Sequence, residues 1–193
     1  MKMKKFLFTA FFAAALVFGY SQTVFAQDRG AAALLLNHYS TRNFAEGAVP
    51  AADLDTIVQA GVRSPSASNR QPWHFTVVLN NDLAKKIIPQ NVNGNVLIVV
   101  SAEGDGKSNT VQILDCALAV ENIYLMAQAL GYGSRIYTGP MNNLNSALKG
   151  ELGLPTGHSA VALVRVGRVQ SGVDAVSAAS SRKKAEETVT YKR

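Results

Sequence analysis

Arg63-Ser64-Pro65-Ser66-Ala67-Ser68-Asn69-Arg70-Gln71-Pro72-Trp73-His74-Phe75 is the stretch on which the reading of this chain turns. Two prolines seven residues apart bracket small and amide side chains, so neither a helix nor a sheet ladder runs through the middle. The pattern predicts an extended loop rich in hydroxyl, amide and backbone N–H groups that enters a strand, Phe75 to Leu79, at its far end. Such a loop suits the edge of a flat, hydrogen-bonding ligand. An ordinary polar loop packed by one tryptophan fits the same residues.

Working outward, Pro50 through Val62 reads as an amphipathic helix, with Leu54, Ile57, Val58 and Gly61 or Val62 on one stripe and Pro50 in the first turn. Before it, Ala31 to Leu36 is built from strong helix formers, ahead of Asn37-His38-Tyr39-Ser40-Thr41-Arg42-Asn43-Phe44. His38, Ser40 and Arg42 fall on one side of that piece if it is extended, a pattern suited to a phosphate or to a solvated helix end. After the loop, Asn80-Asn81-Asp82 offers a turn and a cap for a helix from Leu83 to Ile88. Val96 to Ser101 lacks alternation, as expected of a central strand covered on both faces.

Thr110 to Leu130 carries so many apolar residues that the expected helix is buried nearly all round, closed by Gly131-Tyr132-Gly133 in a left-handed cap. On it, Asp115 and Glu121 pair locally or hold an interface, and Cys116 reads as a small buried hydrophobe, not a nucleophile. Ser134 to Pro140 is a second candidate ligand edge. A helix from Asn142 to Leu152 and a strand from Ser159 to Val169 follow. The polar tail, with Arg182-Lys183-Lys184 and a possible strand Thr188 to Tyr191, is too short for a core of its own and suits packing on a second subunit.

Composition narrows the classes further. Met1 to Lys5 is basic, Phe6 to Phe18 is apolar, and Val24-Phe25-Ala26 ends in small residues, the pattern of a signal peptide cleaved before Gln27. That run of 13 residues is short of the roughly 20 needed to span a bilayer, so stable membrane insertion after cleavage is not expected. The expected layout is residues 1–26 as leader and 27–193 as one domain, exported to periplasm or medium. Three leader lysines contribute to the formal charge of +6, leaving a mild excess with no basic run interleaved with aromatics. Nucleic acid is therefore not an expected partner. The lone Cys116 precludes an intrachain disulfide, and His38, His74 and His158 lack metal-ligand spacing.

Taken together these pieces resemble the FMN-dependent nitroreductase family across nearly all of residues 27–193. Ser40-Thr41-Arg42-Asn43-Phe44 is similar to its N-terminal phosphate signature, with His38 and Tyr39 where two basic residues often stand. Pro65 to Phe75 resembles its Pro-Ser-x-x-Asn-x-Gln-Pro-Trp-x-Phe loop, and Asp115 to Gly133 its central helix, with Ala119, Asn122, Leu125, Ala127 and Leu130 in register. Arg182-Lys183 resembles its C-terminal basic pair. The family's Gly-Tyr-Pro after the late strand is here Gly167-Arg168-Val169, and the region from Leu79 to Val96 is short, which implies an open active site.

The resemblance implies an α+β fold, a mainly antiparallel sheet flanked by helices, and an intertwined homodimer with residues 182–193 as an arm on the partner. It also implies FMN. His38, Ser40, Arg42, Arg182 and Lys183 would hold the phosphate; Pro65, Ser66, Ala67, Asn69 and Gln71 would line the ribityl chain and ring edge; Thr138 and Gly139 would approach the ring. No residue is required as a covalent catalyst. The implied activity is ping-pong two-electron transfer from NAD(P)H or another reductant to a nitroaromatic, quinone or similar acceptor. The alternatives are an exported flavin-binding protein fed by another redox partner, and a cofactor-free structural relative.

Overall fold

The computed structural model describes residues 30–172 and 181–193. The leader reading for residues 1–26 lies outside the described residues. The chain divides into two compact units, Met1–His38 and Tyr39–Arg193. In the first, residues 30–37 are helical (α1), and the backbone N–H of His38 donates to the Leu34 carbonyl at 2.9 Å.

The second unit is an α+β fold around a five-stranded sheet whose strand pairs are all antiparallel. β3 (Val96–Glu103) lies between β2 (Trp73–Val78) and β5 (His158–Val169). The far edge of β5 carries β4 (Gly133–Tyr137) and then the two-residue β1 (Phe44–Ala45). Every β3 residue from Val96 to Ala102 is buried, as its unbroken apolar run requires.

Alternate β3 side chains feed two cores. Val96, Ile98, Val100 and Ala102 pack under α2 (Ala51–Val62) and α4 (Thr110–Ala129). Leu97 and Val99 face α3 (Asn81–Ile87), α5 (Met141–Leu144) and α6 (Lys149–Leu152). α2 and α4 approach closely because Gly61 has no side chain, since a Cβ there would stand 2.8 Å from Ile123 Cδ1. α3 is capped as expected, with Asn80 Oδ1 accepting the N–H groups of Asp82 and Leu83.

Three expectations need correction. α4 is not buried all round: Leu114 is 60% exposed and Leu118 45%, with Val111 on the same stripe, because among the described residues nothing covers that face. The helix expected over 142–152 is two short ones, since Asn145 turns its side chain to both backbone groups of Ala160 and interrupts the helix between them. Of the candidate ligand edge, Ser134 to Tyr137 is strand and Thr138 to Pro140 a turn after it. The tail forms one helical turn, α7 (Ala185–Thr188), instead of a strand over 188–191. Glu186 and Glu187 suit its N-terminal turn, and Val189 N–H closes it on the Ala185 carbonyl.

Candidate functional site

Each half of α4 supports one of the segments singled out in the sequence. Near its N-terminal end, buried Asp115 accepts the backbone N–H of Ala67 at 3.0 Å. Two turns on, Asn122 Nδ2 donates to Ser64 Oγ at 2.8 Å and to the Ala60 carbonyl at 3.3 Å. These bonds fix the root of the Pro65–Pro72 loop, which is not simply extended but closes into a 3₁₀ turn at Ala67–Asn69.

The turn is tight because Ser68, Asn69 and Gln71 all adopt left-handed φ values of 52°, 53° and 49°. Side chains rarely tolerate that region, and such strain persists where surrounding contacts impose it. Ser66 Oγ accepts Gln71 N–H at 2.9 Å, and Gln71 Nε2 reaches Asn69 Oδ1 at 3.2 Å. Pro65, Ala67, Asn69 and Gln71 are exposed and Ser66 is half-buried, so the loop presents its polar groups outward. Ser68→Gly is expected to hold or raise stability by up to about 1 kcal/mol, while Ser68→Val lowers it by about 1–2 kcal/mol. Urea denaturation of both variants checks this, and equal stabilities would contradict it.

At the other end of α4, Gln128 clamps Tyr39 through both backbone groups. Its Oε1 accepts Tyr39 N–H at 3.2 Å, and its Nε2 donates to the Tyr39 carbonyl at 3.0 Å. Ser134 then exchanges bonds with Thr41: Thr41 N–H donates to the Ser134 carbonyl, and Ser134 N–H to Thr41 Oγ1. Thr41 is buried against Gly133, where a Cβ would stand 2.7 Å from its Cγ2. The buried Thr41 turns its neighbours Ser40 and Arg42 to solvent.

Arg182 acts electrostatically on Tyr124, one turn before Gln128; burial pushes the Tyr124 hydroxyl up, and the Gln128 hydrogen bond and the Arg182 charge oppose that. Arg182 thus lies within electrostatic reach of α4 at Tyr124. Lys183 is exposed. His38 closes the first unit and is described only there. Thr138 and Gly139 form an exposed turn after β4, with open space where a Gly139 side chain would stand.

Asp115 and Gln128 are 13 residues apart, about 20 Å along the helix axis. The loop and the Ser40–Arg42 segment are thus held at separate stations of one helix. The sequence reading gave no bracing role to Gln128, Ser134 or Ser64, whose bonds to Tyr39, Thr41 and Asn122 are long-range and leave no local pattern, whereas Asn122 stood in the family register.

Cys116 is fully buried, and burial with the neighbouring Asp115 charge pushes its thiol up to about 11, which agrees with an inert core residue. His74 and His158 meet edge to face, ring centroids 6.1 Å apart, with Ser101 Oγ 3.4 Å from His158 Nδ1. Among the described residues, no group of three or more His, Cys, Asp or Glu side chains is gathered for a metal ion.

Burial, then His74 and Lys149, depress His158 below its ordinary 6.5, with Glu103 opposing. An unfolded histidine takes up its proton first as pH falls, so this contribution is complete above 6.5 and lost as pH drops through the folded value. The melting temperature is expected to fall between pH 7 and pH 5, and less steeply in His158→Gln. An equally steep fall in that variant would contradict the assignment.

The fold, a helix-flanked antiparallel sheet with its central helix bracing two polar segments, places the chain in one class of α+β proteins. A family model described as the nitroreductase family matches residues 35–94 and 92–168, and the chain belongs to that family. It is 31% identical over 144 residues to a candidate NADH dehydrogenase/NAD(P)H nitroreductase of Archaeoglobus fulgidus, covering 69% of this chain and 82% of the relative. Among solved structures, a nitroreductase with bound FMN from Bacteroides fragilis superposes with TM-score 0.68 at 23% identity, covering 85% of this chain and 98% of the other. Another with bound FMN, from Desulfitobacterium hafniense, gives TM-score 0.71 at 19% identity with the same coverage. At these identities the two likenesses establish the fold.

Proposed function

We propose that this chain is an FMN-dependent oxidoreductase that works as a homodimer and passes two electrons, in ping-pong fashion, from NAD(P)H or another reductant to a nitroaromatic, quinone or similar small acceptor. The observation that carries the reading is the pair of braced segments on α4, found in a chain of this family whose solved relatives include FMN-bound proteins.

The residues fit the cofactor. Ser40 and Arg42 face outward and Arg182 acts electrostatically on Tyr124 of α4; a hydroxyl and two guanidinium groups suit a phosphate dianion. Lys183 would add to them. Pro65, Ser66, Ala67, Asn69 and Gln71 offer a pre-shaped edge for the ribityl chain and ring. At Gly139 the missing side chain lets a flat ring approach the backbone beside Thr138. Bound flavin supplies the two-electron chemistry; the protein binds it, orients it and holds each substrate in turn against the ring.

Two braced segments about 20 Å apart along one helix favour a site completed by a second copy. The exposed Val111, Leu114 and Leu118 stripe on that helix is the natural surface for such a copy, and the exposed tail a natural arm. The leader pattern supports export, where a reductant other than a cytosolic nicotinamide is the more accessible donor; intact mass of the protein recovered from its host tests cleavage before Gln27, and retention of Met1 to Ala26 would sink it.

Purified protein is expected to show a yellow flavin absorbance band and parallel double-reciprocal plots when donor and acceptor are both varied. Intersecting lines would exclude ping-pong transfer. Protein that neither carries nor takes up flavin would instead be the cofactor-free relative.

A further inference from the structure

Arg165 is a charged residue in the middle of β5 and only 4% exposed. Among the described residues it has no carboxylate partner. Its Nε donates to Asn95 Oδ1 at 2.9 Å and its Nη1 to the Gln90 carbonyl at 3.2 Å. Its guanidinium carbon lies 4.1 Å from the Phe44 ring centroid, and the Tyr137 side chain, diagonal to it across the β4–β5 pair, opposes the effect of burial on its charge. Directly opposite across the β4–β5 pair stands a second arginine, Arg135, stacked on Tyr137 at 5.0 Å.

Burying a cation without an anion is costly, and placing a like charge opposite adds to the cost. An apolar side chain would fill the position without either penalty. What the guanidinium adds is geometry: a planar fork that reaches two acceptors in fixed directions while stacking on a ring, which lysine cannot reproduce. Those contacts converge on β1 and β4. Phe44 lies two residues after Arg42. Asn95, held by Arg165, donates in turn to the Ala45 carbonyl at 3.0 Å and so fastens the same short strand. Tyr137 immediately precedes Thr138 and Gly139.

We propose that Arg165 is a positioning residue for the flavin site, tying the segment that carries Arg42 to the turn that carries Thr138 and Gly139, and so setting the spacing between the phosphate end and the ring end. This rests on the function proposed above. The residue touches neither cofactor nor substrate and acts through Phe44 and Tyr137.

The test is calorimetric titration of flavin-free protein with FMN and with riboflavin, which lacks the phosphate, alongside thermal melts. The unaltered chain comes first: if it binds neither flavin, the proposed function fails, and this proposal with it. If it binds, Arg165→Met is expected to weaken FMN at least tenfold and riboflavin several-fold, so the FMN-to-riboflavin affinity ratio drops as well. Arg165→Lys should not restore the ratio.

Two milder variants separate the arms and serve if Arg165→Met does not fold. Phe44→Leu should lower the ratio while sparing riboflavin, and Tyr137→Phe should weaken both flavins equally. A residue that only stabilises the fold would lower the melting temperature and leave both affinities of the folded protein within about twofold of the unaltered chain; that result, or the same null in both milder variants, overturns the proposal.

Discussion

Arg42→Ala is expected to weaken FMN binding tenfold or more while leaving riboflavin binding within a few-fold of the unaltered chain. The phosphate brings close to two negative charges, and its desolvation must be matched by charge-assisted donors. Arg42 is exposed, and the segment is anchored by the buried Thr41 beside it, whose bonds to Ser134 the substitution leaves in place. Loss of one charge-assisted bond costs roughly 1.5–3 kcal/mol, which sets the tenfold scale. Arg182→Ala should behave alike, since the proposed site assigns Arg182 to the same phosphate. If either variant lowers FMN and riboflavin affinities in equal proportion, that arginine does not hold the phosphate.

Leu118→Asp should abolish dimerisation and flavin retention together. Leu118 and Leu114 are one turn apart on the uncovered face of α4, 45% and 60% exposed in the single chain. A carboxylate buried there against a second copy costs several kcal/mol, enough to convert the proposed dimer to monomer at micromolar concentration. The substitution faces solvent in the isolated chain, so the monomer itself should remain folded. Light scattering and bound flavin per chain are the two readouts. A folded monomer that keeps its full complement of flavin would show that one chain suffices and that the second copy is not part of the site.

Much of the fold was legible because its signals are local. The unbroken run Val96 to Val100 marked the central strand, Asn80 marked the start of α3, and Gly131, with φ of 83°, the end of α4. What escaped depends on partners distant in sequence. The candidate ligand edge at Ser134 carries no assignment of strand in the sequence, because four residues are too few to show a period; pairing with Leu163 to Val166 makes Ser134 to Tyr137 one. Asn145 broke a helix by reaching Ala160. α4 looked buried all round because composition counts apolar residues without saying which molecule covers them. At the site, the loop motif was plain from Pro65 to Trp73, yet the three left-handed residues inside it were not, because Ser, Asn and Gln carry no obligatory signal for that conformation. The bracing residues Gln128 and Ser134 and the buried Arg165 were silent for the same reason.

Because α4 bears a different polar segment at each of two stations, its residue count between Asp115 and Gln128 has the character of a phase. Deleting or inserting one residue there would turn one station by about 100° relative to the other and shift it by about 1.5 Å. The turn at Gly104–Asn109, exposed save for a half-buried Gly106, can absorb a change of length without disturbing either station. The helix cannot, and its length is therefore as much a part of the proposed binding site as any side chain that would touch the flavin.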